Sequence, residues 1–151
     1  MEIKMADKIS FDEINLGFEL PMQSKSITQE KITKNAEASL DYNPIHIDPE
    51  YAKKINLLGK GTTIAHGMMT LSFMGKIVTD WVYPGGGFMK SLEGKFFHPV
   101  RPNDELKVYA KIIEKHPRPK KEENFLVLDV WCEINDGIKV SAGTAAVIIP
   151  N

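Results

Sequence analysis

Cysteine is nearly missing: Cys132 is the single one among 151 residues. A lone thiol closes no internal disulfide and builds no cysteine cluster for zinc, so any metal would fall to His and carboxylate ligands. A reducing compartment, the cytoplasm, is the expectation. Neither sign of charge is in excess, with 19 Lys and Arg against 20 Asp and Glu for a net charge of −1. No global positive field is available to hold a phosphate backbone, which argues against nucleic acid as a partner. Long hydrophobic runs are lacking too. The longest uncharged stretch, Gly61 to Gly75, spans 15 residues, contains Gly, Thr, His and Ser, and is too short and too polar to cross a bilayer. The opening segment Met1 to Phe11 mixes charges among its apolar residues, so no secretory leader and no membrane association are expected from it.

What is present suits one folded unit, residues 1–151, because 42% hydrophobic residues are enough for a core at this length. Thr28 is a good N-cap, and Ile32, Ala36 and Leu40 recur every four residues behind it, predicting a helix of about three turns with one apolar stripe. Asp48-Pro49 repeats the start signal for a second short helix through Tyr51, Ala52 and Ile55. Between them, Asp41-Tyr42-Asn43-Pro44-Ile45-His46 is predicted as a polar loop. From His66 to about Val82 apolar residues occupy nearly the whole circumference, Met68, Phe73, Met74 and Ile77 among them, so this helix should be wrapped by other structure and those side chains should be little exposed. Beyond Tyr83-Pro84-Gly85-Gly86-Gly87 the period becomes two. Leu106, Val108, Ala110 and Ile112 alternate with polar neighbours, and Asn135-Asp136-Gly137 separates Phe125–Ile134 from Ile138–Ile149 as a hairpin turn would. The expected class is therefore α+β, an antiparallel sheet from about residue 88 to 149 wrapped around one long central helix. Bare helix faces and a sheet edge would remain, which argues for a symmetric partner.

Asp41 and His46 are the residues that carry chemistry. A carboxylate and an imidazole five positions apart on a Pro-stiffened loop can converge on one water molecule, although Asp before Asn-Pro is also a common plain turn. His66-Gly67, where the long helix starts, offers free backbone N–H groups and the positive end of a helix dipole, suited to an oxygen that gains charge.

Asp41-Tyr42-Asn43-Pro44-Ile45-His46, followed by the helix from Asp48-Pro49, resembles the D-x-N-P-[LI]-H signature of the MaoC-like dehydratases, the (R)-specific enoyl-CoA hydratases. Ile64-Ala65-His66-Gly67-Met68 is similar to the opening of that family's central helix. Phe96 through Pro99-Val100 to Asp104 is similar to an F-x-x-P-V-x-x-x-D strand, and Gly143-Thr144-Ala145 to a Gly-x-Ala strand end. The resemblance runs from about Phe18 onward. It implies a hot dog fold and interconversion of 2-enoyl and (R)-3-hydroxyacyl thioesters, carried on coenzyme A or acyl carrier protein, by addition or loss of water. In that family Asp41 and His46 would hold the catalytic water, and the Gly67 N–H would face the thioester oxygen. Asn43, His66 and Met68 would line the substrate, with Asn43 chiefly fixing the loop. The resemblance implies no cofactor and no metal, and a homodimer or larger assembly.

Alternatives stay open. A hot dog thioesterase would hydrolyse the same ligands and should lack the paired Asp and His, and a non-catalytic thioester-binding module would keep the fold with a dispensable dyad. A metal site from Asp41, His46, Asp48 and His66 is a further option. Leu40 stands where the family usually has a small residue, often Gly; it would either complete the helix stripe or narrow the acyl pocket. The basic run Lys115 to Lys121 is a solvated loop or a contact for carrier phosphates.

Overall fold

The computed structural model describes residues 10–135 and 137–150; Met1 to Ile9, where no leader was expected, and Asp136 of the predicted turn lie outside the described residues. Strand β1, Gln23–Ser26, leads to Thr28, whose hydroxyl accepts the Lys31 N–H at 3.2 Å and starts helix α1, Gln29–Ser39. Ile32 and Ala36 are fully buried as the stripe predicts. Leu40 does not extend that stripe. It ends the helix in the left-handed conformation, φ 58° and ψ 24°, and is 76% exposed, because a helix closing on this geometry turns its last side chain outward.

The polar loop expected after it contains one turn of helix, α2, Pro44–Ile47. The Asn43 carboxamide oxygen accepts the Ile45 N–H at 3.1 Å while Pro44 fixes φ at the first helical position, so the Asn-Pro pair caps a helix instead of merely breaking one. Asp48-Pro49 repeats the device: Asp48 Oδ1 accepts from Glu50 and Tyr51 N–H at 3.0 and 3.1 Å and opens α3, Pro49–Ile55.

The long helix α4 covers Gly67–Val82, with His66 as its N-cap residue. Four strands follow: β2 Phe88–Phe96, β3 Glu105–His116, β4 Phe125–Ile134 and β5 Ile138–Ile148. With β1 they make one antiparallel sheet in the order β1-β3-β4-β5-β2. The predicted alternation holds: Leu106, Val108, Ala110 and Ile112 on β3, and Leu126, Leu128, Val130 and Cys132 on β4, face α4 with almost no exposure. Each such Leu or Ile stabilises the fold by about 1.5–3 kcal/mol through burial alone. Burial pushes the Cys132 thiol up to about 11, only partly opposed by its bond with Ser141.

Met74, Ile77 and Val78 of α4 are buried against the sheet, but Phe73 is half-buried and Met68 is 63% exposed, contrary to the expectation of a helix wrapped all round. A single sheet covers only one side of a helix, and Met68 lies on the other side of its first turn. The F-x-x-P-V-x-x-x-D segment is not a strand beyond Phe96; Phe97 to Asp104 is a connection in which Pro99 and Pro102 lack ladder donors and the Asp104 carboxylate accepts the Arg101 N–H at 2.8 Å. Gly143 on β5 needs its missing side chain, since a Cβ there would collide with the Glu93 carbonyl of β2.

Candidate active site

The capped turn α2 and the start of α4 are brought together by the link Gly61–Ala65, where Ile64 N–H donates to the Ile45 carbonyl at 3.2 Å and Ala65 N–H to the Val100 carbonyl at 2.7 Å. His46 and His66 thereby stack, with ring centroids 3.8 Å apart and planes 27° from parallel. Each ring also has one nitrogen against a backbone carbonyl, which can only accept, so the tautomers follow from the geometry. His46 donates from Nδ1 to the Ile64 carbonyl at 2.8 Å, leaving the Nε2 lone pair free. His66 donates from Nε2 to the Asp41 carbonyl at 3.0 Å, and among the described residues its buried Nδ1 meets no donor.

Asp41, His46 and His66 place one side-chain ligand atom each within 4.8 Å of one another. Asp41 is exposed, held by its Oδ1 accepting the Asn43 N–H at 3.3 Å; His46 is half-buried, and His66 is 2% exposed. A water bonded to two acceptors at ordinary length spans about 4.6 Å between them, and a carboxylate oxygen of Asp41 and a ring nitrogen of His46 lie within 4.8 Å of each other, within reach of one shared water. Burial holds the His46 pKa below its ordinary 6.5; the Ile64 carbonyl opposes this, His66 adds to it, and Asp41 opposes it last. A neutral imidazole with an exposed lone pair is a proton acceptor at neutral pH.

Gly67 is the first residue of α4, so its N–H has no intrahelical acceptor, and none is found for it among the described residues. A Cβ there would stand 3.3 Å from the Phe96 ring, which leaves the backbone as the surface a ligand meets. Beside it lies a cleft of about 320 Å³ bounded by Ile64, Gly67, Thr70, Phe96, Phe97 and Val140.

The other candidates fare differently. Asn43 is an exposed cap that fixes the turn through Ile45 N–H, and His66 is buried, stacked on His46 and bonded to the Asp41 carbonyl. Met68 is exposed beside Gly67. Asp48 caps α3, so of the four candidate metal ligands Asp41, His46 and His66 remain together, one ligand atom of each within 4.8 Å of the others. The basic run sits by Phe125, with Arg118 4.5 Å over that ring and Lys115 donating to the Ile14 carbonyl at 2.5 Å. Phe125 is level with Phe88, at the far end of β2 from Phe96, some 25 Å along the strand from Gly67. Three residues absent from the sequence reading complete the surroundings: Gln29, Thr63 and Arg101. Their contacts reach 17 to 44 positions along the chain, beyond any local pattern.

The family model for the MaoC like domain matches residues 17–129. A mitochondrial 3-hydroxyacyl-[acyl-carrier-protein] dehydratase of Arabidopsis thaliana is 30% identical over 130 residues, which cover 85% of this chain and 74% of the relative. The peroxisomal enoyl-CoA hydratase 2 of the same plant is 34% identical over 97 residues, 60% of this chain, and the match spans 30% of that longer protein. The unliganded R-hydratase of Pseudomonas aeruginosa superposes with a TM-score of 0.79 at 24% identity, over 95% of this chain and 87% of that one. The sheet around α4 is a hot dog fold, and the chain belongs to the family of MaoC-like domains.

Proposed function

We propose that the chain is a hydratase and dehydratase that interconverts 2-enoyl and (R)-3-hydroxyacyl thioesters of coenzyme A or acyl carrier protein. What supports this is a carboxylate oxygen of Asp41 and a ring nitrogen of His46 within 4.8 Å of each other, His46 Nδ1 engaged by the Ile64 carbonyl so that Nε2 is the ring's acceptor, and the N–H of Gly67 at the head of α4. A water that gives both hydrogens to these groups turns an oxygen lone pair outward, toward Cβ of an enoyl thioester. As the C–O bond forms, the dyad takes one proton from the water, the thioester oxygen gains charge against the Gly67 N–H, and a proton from the dyad closes the enolate at Cα. Dehydration is the same path reversed. No electrons leave the substrate, so the reaction asks for no redox cofactor. His66 and Asn43 support the dyad; Met68 and the Phe96–Phe97 edge offer apolar surface to the acyl group.

A homodimer goes with this reading, because Leu40 and Tyr42 beside Asp41, Met68 next to Gly67, and Phe96 and Phe97 in the wall of the cleft are all exposed.

The test is a panel of 2-enoyl thioesters on both carriers, followed by loss of enoyl absorbance, chiral analysis of the product and a free-thiol assay. Asp41→Asn and His46→Gln should each lower turnover on the order of 10² to 10⁴-fold with thioester binding kept. The double variant should be little worse than the worse single one, since the two act as a unit. Near wild-type hydration by both variants would leave a binding module; release of thiol without hydration would leave a thioesterase.

A further inference from the structure

We propose that Gln29 and Thr63 are positioning residues for His46, a hydrogen-bonded clamp that holds the Ile64 carbonyl against Nδ1 and so selects the tautomer with Nε2 unprotonated. The kinetic part rests on the hydratase reading; the structural part stands on geometry alone.

The need for such a clamp comes from α2. One turn of four residues cannot sustain itself, because helix nucleation fixes several residues for a single hydrogen bond. His46 sits in that turn, and its orientation therefore has to be set from outside. The Gln29 carboxamide, on the first residue of α1, does this with both its ends. Its Nε2 donates to the His46 carbonyl at 2.9 Å, and its Oε1 accepts the Thr63 hydroxyl at 2.5 Å. The carbonyl can only accept, which fixes which end of the amide faces which partner. Thr63 is buried, 4% exposed, and the residue after it supplies the carbonyl that receives His46 Nδ1–H. Gln29 thus ties the His46 carbonyl to the side chain of Thr63, the residue directly before the one whose carbonyl receives His46 Nδ1–H.

The other flank of the link is fastened independently. Arg101, 6% exposed and with no ion pair at its guanidinium among the described residues, donates from that group to the Thr62 hydroxyl at 2.8 Å and the Leu57 carbonyl at 3.0 Å. Thr62 and Thr63 are gripped by different partners, Arg101 and Gln29, on either side of one peptide bond. A shift of the Ile64 carbonyl would free His46 Nδ1; the ring could then carry its proton on Nε2, and the shared water would lose one of its two acceptors. Positioning effects of this second-neighbour kind commonly change activity by 10- to 100-fold.

Nitrogen-detected NMR of the full chain labelled at its imidazoles, recorded where His46 is neutral, reads the tautomer directly. Wild type should show Nδ1 protonated at His46. Thr63→Val and Gln29→Leu should mix in the Nε2–H form and lower kcat by roughly 10- to 100-fold with KM changed by less than about threefold. Thr63→Ser, which keeps the hydroxyl, should restore both readouts. Gln29→Glu keeps an acceptor for Thr63 but faces the His46 carbonyl with an oxygen, and should not. If Thr63→Val does not fold, the Gln29 pair decides the matter by itself, since that side chain is only half-buried. Wild-type tautomer and kcat in Gln29→Leu, or a Thr63→Ser as impaired as Thr63→Val, would overturn the clamp while leaving the hydratase reading intact. A tautomer shift in a protein with no hydratase activity would sustain the clamp and sink that reading instead.

Discussion

At His46, burial and the neighbouring His66 disfavour the proton while the Ile64 carbonyl and Asp41 favour it, and the net effect holds the ring below its ordinary 6.5. In the proposed hydration the working form of His46 is the neutral imidazole, so kcat/KM should be flat at neutral pH and fall as acid protonates Nε2. The midpoint of that limb should lie under 6.5, since kcat/KM reports the free enzyme. A pH–rate profile whose acid limb is centred above 6.5 would contradict the environment described. The same shift has a consequence for folding. An unfolded His46 binds its proton at higher pH than the folded one, so the fold loses stability as pH drops below 6.5 and through the folded value. His46→Gln should blunt that acid sensitivity in denaturant titrations and remove the same limb from the pH profile of its residual activity.

Among the elements, the end of α1 is where sequence and conformation are at odds. Leu40 is held left-handed, a conformation that costs a side chain with a Cβ about 1–2 kcal/mol, and its 76% exposure returns little by packing. Leu40→Gly removes that cost and adds back about 0.5–1 kcal/mol of chain entropy. A net gain of about 0.5–1 kcal/mol should raise the melting temperature by about 2 °C, measurable by calorimetry or circular dichroism. A lower melting temperature would show that Leu40 is packed, in the working assembly, against something outside this chain. A residue without a Cβ would fit that backbone, and the sequence alone does not show it because Leu40 also fits the four-residue stripe. Where one local signal acts alone the reading succeeds: Thr28 and Asp48 cap as expected, and the β3 and β4 alternation points to the correct face. It fails where two signals compete, as at Asn43-Pro44, or where partners are remote, as for Gln29 and Thr63. Asp41 and His46 were legible as a pair because one motif holds both, but the stacking of His66 on His46 joins segments 20 residues apart and left no trace in spacing.

For the molecule as a whole, the strand order leaves β1 and β2 as edges, and β2 ends at Phe96 beside the Gly67 cleft. An unpaired edge next to exposed Phe96, Phe97 and Met68 is a surface that a second copy would cover, completing the wall that one sheet cannot supply. Light scattering at micromolar concentration should therefore give roughly twice the 17.0 kDa subunit mass, or a multiple of it. A 17.0 kDa species would reject the dimer.

Cys132 turns the same architecture into a timer. Its sulfur lies on β4, flanked by β3 and β5 and sealed under α4, and a thiol held near 11 offers almost no thiolate to an alkylating reagent at neutral pH. Reagent can reach it only when the middle of the sheet parts. The rate at which iodoacetamide modifies Cys132 in the native protein should therefore match hydrogen exchange of the central-strand amides, counting openings of the whole molecule without any label having to be introduced. Modification far faster than that exchange would mean that β4 can be breached locally, without unzipping its neighbours.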